Sequence, residues 1–290
     1  MEMRDSWMTL GEIYRQGKGI LRGAGNEAPA FDADCLFQKA FGLNRQRRVV
    51  NSNAPADDTA ASDFMGYIAE RASGRPLQYI LGKWPFMELE LNVGEGVLIP
   101  REETELLVYT AAQLLRNVDR PGILDLCAGT GAVALGLASL LPHAVITAAE
   151  LYDEALSYLN RNIKETGYRN VAPLQLDVLN PQSAQLVLGL DCIVSNPPYV
   201  EKEIISTLQA EVRREPCTAL DGGTDGLDFY RAIAHIWLPK LKQGGVAAVE
   251  VGEGQAVAVS ELFGKAGLAQ IQIHRDFNEI ERVVAGIWEK

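Results

Sequence analysis

The stretch Gly122-Ile-Leu-Asp-Leu-Cys127-Ala-Gly129-Thr-Gly131-Ala-Val-Ala-Leu-Gly-Leu-Ala138 constrains the fold most, because an apolar strand runs straight into a glycine turn and then into an apolar helix. Further strand-like runs follow near residues 144–149, 171–175, 190–195, 246–251, 268–274 and 282–288. Helical patterns fall between them, one over Glu103–Arg116 and another after Asp153, with Leu156, Leu159 and Ile163 on one face and Asp153 as its cap. This alternation predicts an α/β fold with a mainly parallel sheet covered on both faces. The last two strands are close enough in sequence to pair antiparallel.

In the glycine turn, φ > 0 is permitted and a ligand can approach the backbone at the strand's end. The dinucleotide fingerprint Gly-x-Gly-x-x-Gly is absent. The next strand ends on Glu150, 19 residues beyond Gly131. A carboxylate there can accept both hydroxyls of a ribose, although taken singly it also reads as a solvated helix-cap residue.

A second motif, Asn196-Pro197-Pro198-Tyr199, closes the apolar run Cys192-Ile-Val-Ser195. It belongs at the carboxyl end of a buried strand, where open α/β sheets bind ligands. Two consecutive prolines stop the ladder and restrict the residue before each, so the turn is stiff. A stiff turn can aim an amide side chain and a backbone carbonyl at one planar NH2 group, with an aromatic ring beside it. Alone, the tetrapeptide is also an ordinary strand-ending turn.

Ahead of these motifs, Trp7, Leu10, Tyr14 and Leu21 fall near helical spacing, as do segments around Asp32–Phe41 and Asp58–Ala72, which predicts a small helical domain. Gly23–Pro29 and Asn51–Pro55 have turn composition. Met87–Val93 alternates apolar and polar residues, and Gly94-Glu-Gly96 leads into Val97–Ile99, so a hairpin is expected there as a connector. The resulting division is 1–83 helical, 84–100 hairpin linker and 101–290 α/β.

The chain of 290 residues is long enough for one large core and a small extra domain, and 47% hydrophobic with 22% charged content marks a globular protein. A formal charge of −11 argues against a long phosphate footprint. Residues 1–90 are nearly neutral, with 11 basic and 12 acidic side chains, and Arg45, Arg47 and Arg48 within them read first as solvated surface. Four cysteines far apart, no Cys-x-x-Cys and three histidines indicate neither a zinc site nor disulfides, so reduced cytosolic thiols are expected. Cys192 reads as core, and Cys127 lacks a neighbouring base for work as a nucleophile. The opening residues, including Glu2, Arg4 and Asp5, do not resemble a secretory leader, and the apolar run Ala132–Leu141 is too short to span a bilayer.

Strand, glycine turn, helix, strand, acidic residue and a later strand ending in Asn-Pro-Pro-Tyr resemble the S-adenosylmethionine-dependent methyltransferase core. With Arg75-Pro-Leu-Gln-Tyr-Ile-Leu-Gly82, Val97-Leu-Ile-Pro-Arg-Glu-Glu-Thr-Glu105 and Asp221-Gly-Gly-Thr-Asp-Gly226 in the same chain, the sequence closely resembles the PrmC/HemK family over residues 75–288. The resemblance implies a Rossmann-like seven-stranded methyltransferase sheet with a helical substrate-recognition domain and a β-hairpin linker. It implies transfer of a methyl group from S-adenosyl-L-methionine, leaving S-adenosyl-L-homocysteine, to the N5 amide nitrogen of the Gly-Gly-Gln glutamine of peptide chain release factors.

Carried over, the cofactor site comprises Cys127, Ala128, Gly129, Thr130, Gly131, Glu150 on the ribose, Val178 after Asp177 and Asn196. The substrate site comprises Asn196, Pro197, Pro198 and Tyr199, with Asn196, Pro197 and Tyr199 catalytic and no metal. A cytoplasmic monomer without direct nucleic-acid or membrane partners is expected. The chain departs from the family pattern at Cys127 (usually glycine), Glu102 (usually proline) and Glu150 (more often aspartate). Two rivals stand beside this reading: a DNA adenine-N6 methyltransferase, which the acidic charge disfavours, and a non-catalytic adapter, which the intact Asn196 and Glu150 disfavour. Arg101, Glu103 and Thr104 read as a helix start or a closure over the cofactor, and Glu215-Pro216 with Asp221–Asp225 as a substrate-facing loop or a solvated turn.

Overall fold

Thr9 starts the first helix with a capping box: its hydroxyl accepts from the Glu12 N–H while the Glu12 carboxylate accepts from the Thr9 N–H at 2.8 Å. The computed structural model describes residues 8–187 and 189–290. Trp7, which the spacing assigns to this helix, and Glu2, Arg4 and Asp5 lie outside the described residues. Five helices follow from Thr9: α1 (Leu10–Gly23), α2 (Pro29–Phe41), α3 (Arg45–Val50), α4 (Asp58–Ala72) and α5 (Leu77–Leu81). Through Gly82, and joined by the segment Ala210–Arg214, they form one compact unit.

The centre of this helical unit is aromatic. Phe37 stacks on Phe41 at 4.3 Å and meets Phe64 edge-on at 5.3 Å, with Leu21, Leu36 and Ile68 fully buried around them. Arg48 is buried, not part of a solvated basic cluster, because its guanidinium lies 3.4 Å from the Tyr14 ring centre and donates to Asp34 at 2.7 Å. Arg71, also buried, donates to Asp32 at 2.6 Å and to Glu211.

The second unit comprises Lys83–Gln209 and Glu215–Lys290. It opens with a hairpin of β1 (Lys83–Phe86) and β2 (Leu89–Asn92), paired from Phe86↔Leu89 to Lys83↔Asn92. The hairpin therefore turns at Met87-Glu88 and not at Gly94–Gly96, and Val97 and Ile99 are buried without forming a strand. Alternation alone missed the turn because it runs unbroken across it. Met87 reaches φ 52° without being glycine, and its N–H donates to Glu105 at 2.8 Å.

Seven strands form the main sheet: β3 (Gly122–Leu126), β4 (Val145–Glu150), β5 (Val171–Gln175), β6 (Leu190–Ser195), β7 (Leu241–Glu250), β8 (Leu268–Arg275) and β9 (Glu281–Trp288). Their order is β5-β4-β3-β6-β7-β9-β8; β5 to β7 run parallel, and β9 inserts antiparallel between β7 and β8. Residues of α6 (Thr104–Leu114), α7 (Ala132–Leu140) and α8 (Asp153–Thr166) pack on one face with Ile123, Val194 and Ala248. Residues of α9 (Asp228–Ala232), its π-helical continuation Ile233–Trp237 and α10 (Ala256–Ala266) pack on the other with Leu124, Ile193 and Val249. Successive strand residues thus serve opposite cores. Asp153 is the first residue of α8 and not its cap, a position held by Tyr152; its carboxylate instead accepts from Gln175 at 2.7 Å. Among the described residues no helix is long and apolar enough to cross a membrane.

A buried polar bridge ties the hairpin to the glycine turn. Asn162 of α8 accepts from the Asn92 N–H at 2.7 Å and donates to the Asn92 and Thr130 carbonyls at 3.1 and 2.9 Å. Asn92 and Asn162 are each 1% exposed, so water cannot replace these bonds. Asn162→Leu is expected to lower stability by about 2–4 kcal/mol in denaturant unfolding, since it orphans several buried backbone groups.

Candidate active site

The parallel register places three sequence motifs side by side. Leu126 of β3 pairs with Ala149 of β4 and with Ser195 of β6, so Cys127, Glu150 and Asn196 leave the sheet together at its carboxyl edge. They border a cleft whose lining includes Cys127, Ala128, Gly129, Thr130, Glu150, Val178, Asn196 and Pro198. Gly131, Pro197 and Tyr199 are not among its lining residues.

The turn after β3 is built from left-handed residues. Cys127, Gly129 and Gly131 have φ of 61°, 55° and 84°. At Gly131 a Cβ would also come within 2.6 Å of Leu159, so glycine is required there on two counts. Cys127 adopts its left-handed φ despite its side chain, at a cost of about 1–2 kcal/mol. Its thiol is pushed up by burial and by Glu150, which leaves it a neutral wall group and not a nucleophile.

Glu150 is 7% exposed and held by three backbone donors: Gly129 N–H at 2.9 Å on one oxygen, and Leu151 and Tyr152 N–H at 2.8 and 3.0 Å on the other. A carboxylate has about four acceptor sites, so it can hold the glycine turn and still receive a ligand hydroxyl. Behind the turn, Asp125 accepts from Ala134 N–H at 3.0 Å, while its second oxygen has no partner among the described residues. Burial pushes this carboxyl up to about 8. The apolar wall includes Leu176, Val178, Leu179 and Phe229, and the Val178 carbonyl is fixed by the buried Trp237 indole N–H at 2.9 Å. One carboxylate beside apolar slots and an open backbone turn is the chemistry of a nucleoside site.

On the other side of the cleft, the Asn196 amide nitrogen donates to the Thr104 hydroxyl at 3.1 Å. Thr104 begins α6 with no side-chain cap bond at that helix end, so it serves the cleft and not the helix. Among the described residues, no group donates to the Asn196 Oδ1 or to the Pro197 carbonyl. Arg101 and the main-chain N–H of Ile99 both bind the buried Glu215 carboxylate, the latter at 3.0 Å, and Pro216, Thr218 and Ala219 beyond it reach the cleft. Tyr152, Phe229 and the 217–219 segment were missed in the sequence, whereas Pro216 belongs to the segment read there as a substrate-facing loop or a solvated turn. Tyr152 follows Glu150 by two residues, whereas the others carry no local signal.

Tyr199 is half-buried, and burial together with Glu250 pushes its phenol up. Its carbonyl accepts from Gln255 at 2.9 Å. The loop Asp221–Gly226 clamps it: Gly222 N–H donates to the Val200 carbonyl at 2.9 Å, and a Cβ on Gly222 would lie 2.7 Å from the Tyr199 Cα. A Cβ on Gly226, at φ 72°, would lie 2.4 Å from the Tyr199 carbonyl oxygen. Those two glycines are therefore packing residues against the stiff turn, not members of a solvated loop. Gly222→Ala is expected to destabilise the fold by about 1–3 kcal/mol, measured by thermal unfolding, because backbone and not a flexible side chain must move.

Comparison with known proteins agrees with this geometry. Residues 12–82 match the model of the PrmC N-terminal domain, and residues 103–215 match that of the methyltransferase small domain. A release factor glutamine methyltransferase of Geobacter sulfurreducens is 37% identical over 98% of both chains. One of Moorella thermoacetica is 37% identical over 90% of this chain and 91% of its own. In fold, the chain is similar to the hMettl16 catalytic domain crystallised with the MAT2A 3'UTR hairpin 6, matched with a TM-score of 0.58 and 16% identity over 77% of this chain and 82% of that one. With relatives of that identity spanning nearly its whole length, the chain belongs to the release factor glutamine methyltransferase family.

Proposed function

We propose that this protein transfers a methyl group from S-adenosyl-L-methionine to the N5 amide nitrogen of the glutamine in the Gly-Gly-Gln motif of peptide chain release factors. The observation that carries this reading is the pair of acceptors at the end of β6, Asn196 Oδ1 and the Pro197 carbonyl, neither engaged by a donor among the described residues. When bound, the cofactor supplies a methyl group on a cationic sulfur. The residues suited to hold it are the Cys127–Gly131 turn, Glu150 for the ribose hydroxyls and Val178 beside the adenine, with Asn196 near the methionine portion.

A primary amide nitrogen is a weak nucleophile because its lone pair is delocalised into the carbonyl, so orientation is the main task. In this reading Asn196 Oδ1 and the Pro197 carbonyl accept the two N–H bonds of the glutamine, and Tyr199 supports the amide plane. Carbonyl dipoles aimed at the nitrogen also stabilise positive charge that develops on it. Glutamate offers no N–H donor and would leave both acceptors unpaired, at about 1–3 kcal/mol each. The same reading assigns the protein to the cytoplasm as a monomer. The −11 charge remains the argument against a DNA adenine substrate.

Incubation with labelled methyl donor and a release factor, followed by mass spectrometry, is expected to place one methyl on the Gly-Gly-Gln glutamine; label in duplex DNA instead would overturn the assignment. Asn196→Ala is expected to abolish transfer while cofactor affinity, measured by calorimetry, changes little. Glu150→Ala is expected to weaken cofactor binding by about 10- to 100-fold, the loss of a charged hydrogen bond. Unchanged affinity would remove Glu150 from the ribose.

A further inference from the structure

Beside the acceptor pair stands a buried carboxylate that the reaction outlined above does not use. Glu250 is 2% exposed, and its Oε2 has no hydrogen-bond partner among the described residues. It ends β7, and the β6–β7 register pairs Val194 with Ala248 and Ser195 with Val249. One step further along, Asn196 and Glu250 are neighbours. Both continue the alternation of Val194 and Ala248, which pack on the face covered by α6. Thr104, the first residue of α6, is 4% exposed and receives the Asn196 Nδ2–H at 3.1 Å. The buried Thr104 and Glu250 and the half-buried Asn196 therefore stand together at the rim of the cleft.

An asparagine carboxamide can face either way, and the two orientations have opposite chemistry: Oδ1 grips an N–H, whereas Nδ2 repels it. A threonine hydroxyl has one proton and can donate it only once. If that proton is committed to Glu250, the hydroxyl can offer Asn196 only a lone pair, and Nδ2 must turn toward it. We infer that Thr104 and Glu250 are positioning residues that set the sense of the Asn196 carboxamide, so that its oxygen and not its nitrogen faces the substrate amide. The inference rests on the proposed role of Asn196 and deepens it, since it explains how one rotamer sense of that side chain is enforced.

The surroundings keep this arrangement poised. Burial pushes the Glu250 carboxyl up to about 7, opposed by the neighbouring Thr104 hydroxyl. The charged groups facing it are Arg282 of β9, Glu103 and Arg101 before α6, and the Tyr199 phenol after β6. Both arginines are already engaged, Arg282 with Asp276 at 3.0 Å and Arg101 with Glu215. Tyr230 of α9 donates to the Glu250 backbone carbonyl at 2.8 Å, which holds the strand end and leaves the carboxyl to Thr104. When protonated, Glu250 becomes a donor to Thr104, freeing the threonine proton for Asn196 Oδ1 and blocking the acceptor. The rate should accordingly rise as pH increases through about 7.

The test uses Thr104→Val, Thr104→Ser, Glu250→Gln and Asn196→Ala in the full-length protein with a release factor. Glu250→Gln is a shape-preserving mimic of the protonated acid. Thr104→Val is expected to lower kcat by about 10- to 100-fold, the usual loss when an orienting partner behind a functional group is removed. Thr104→Ser should retain near wild-type turnover, and Glu250→Gln should lower kcat, flatten the rise near pH 7 and add nothing on top of Thr104→Val.

A readout independent of turnover is the side-chain amide of Asn196 in 15N spectra, assigned by its loss in Asn196→Ala; Thr104→Val and Glu250→Gln should both shift it. Wild-type kcat in Thr104→Val, multiplicative effects of the two substitutions, or an unmoved Asn196 amide would each overturn the inference. If Asn196→Ala itself turns over normally, the acceptor role fails and this inference with it; if Asn196→Ala is dead while Thr104→Val is normal, only the positioning role fails.

Discussion

Parallel hydrogen bonding between β4, β3 and β6 is the constraint from which the site follows. Because Leu126 faces both Ala149 and Ser195 in the ladders, the residues after each strand emerge at one edge, about 5 Å from strand to strand. A one-residue slip would send Glu150 or Asn196 to the opposite face of the sheet. The two apolar cores oppose that slip, since the buried apolar residues of these strands are divided between one core and the other. The reactive edge is therefore held by hydrophobic burial on both faces of the sheet, far more than by contacts within the cleft.

Around that edge, buried polar groups serve in place of flexible loops. Asn162 ties the glycine turn to the hairpin, and Glu150 ties it to the start of the next loop. Glu215 ties the segment before α6 to the far wall of the cleft. Each of these side chains is almost wholly screened from water, so its bonds persist where a surface pair would exchange with solvent. Rigidity of this kind suits a reaction whose main requirement is aim, because a poor nucleophile gains most from being held in line.

Much of this was readable in advance. The strand positions, the glycine turn, the acid that ends β4 and the proline-stiffened turn were each carried by a few adjacent residues with strong local preferences. The hairpin was misplaced because a two-residue turn at Met87-Glu88 contains neither glycine nor asparagine and does not interrupt the alternation. Asp153 looked like a cap because it is an acid ahead of an apolar stripe, yet the helix had already begun. Thr104 was read as a helix start or a closure over the cofactor, and only its position against Asn196, 92 residues away, shows which side chain it meets. Gly222 and Gly226 read as turn residues, although close backbone approach to Tyr199 is what requires them.

The amino-acid sequence by itself determined the α/β class, the order of strands and helices along the chain, and the identity of the groups that end β3, β4 and β6. Those properties follow from hydrophobic period, glycine and proline, which act over a few residues. Tertiary structure alone decided that Asn196, Thr104 and Glu250 meet, that the Asp221–Gly226 loop packs on Tyr199, and that Glu215 anchors the backbone ahead of α6. These contacts join positions 23 to 146 residues apart, and which partners meet is set by strand order and burial, for which no local sequence pattern carries a signal.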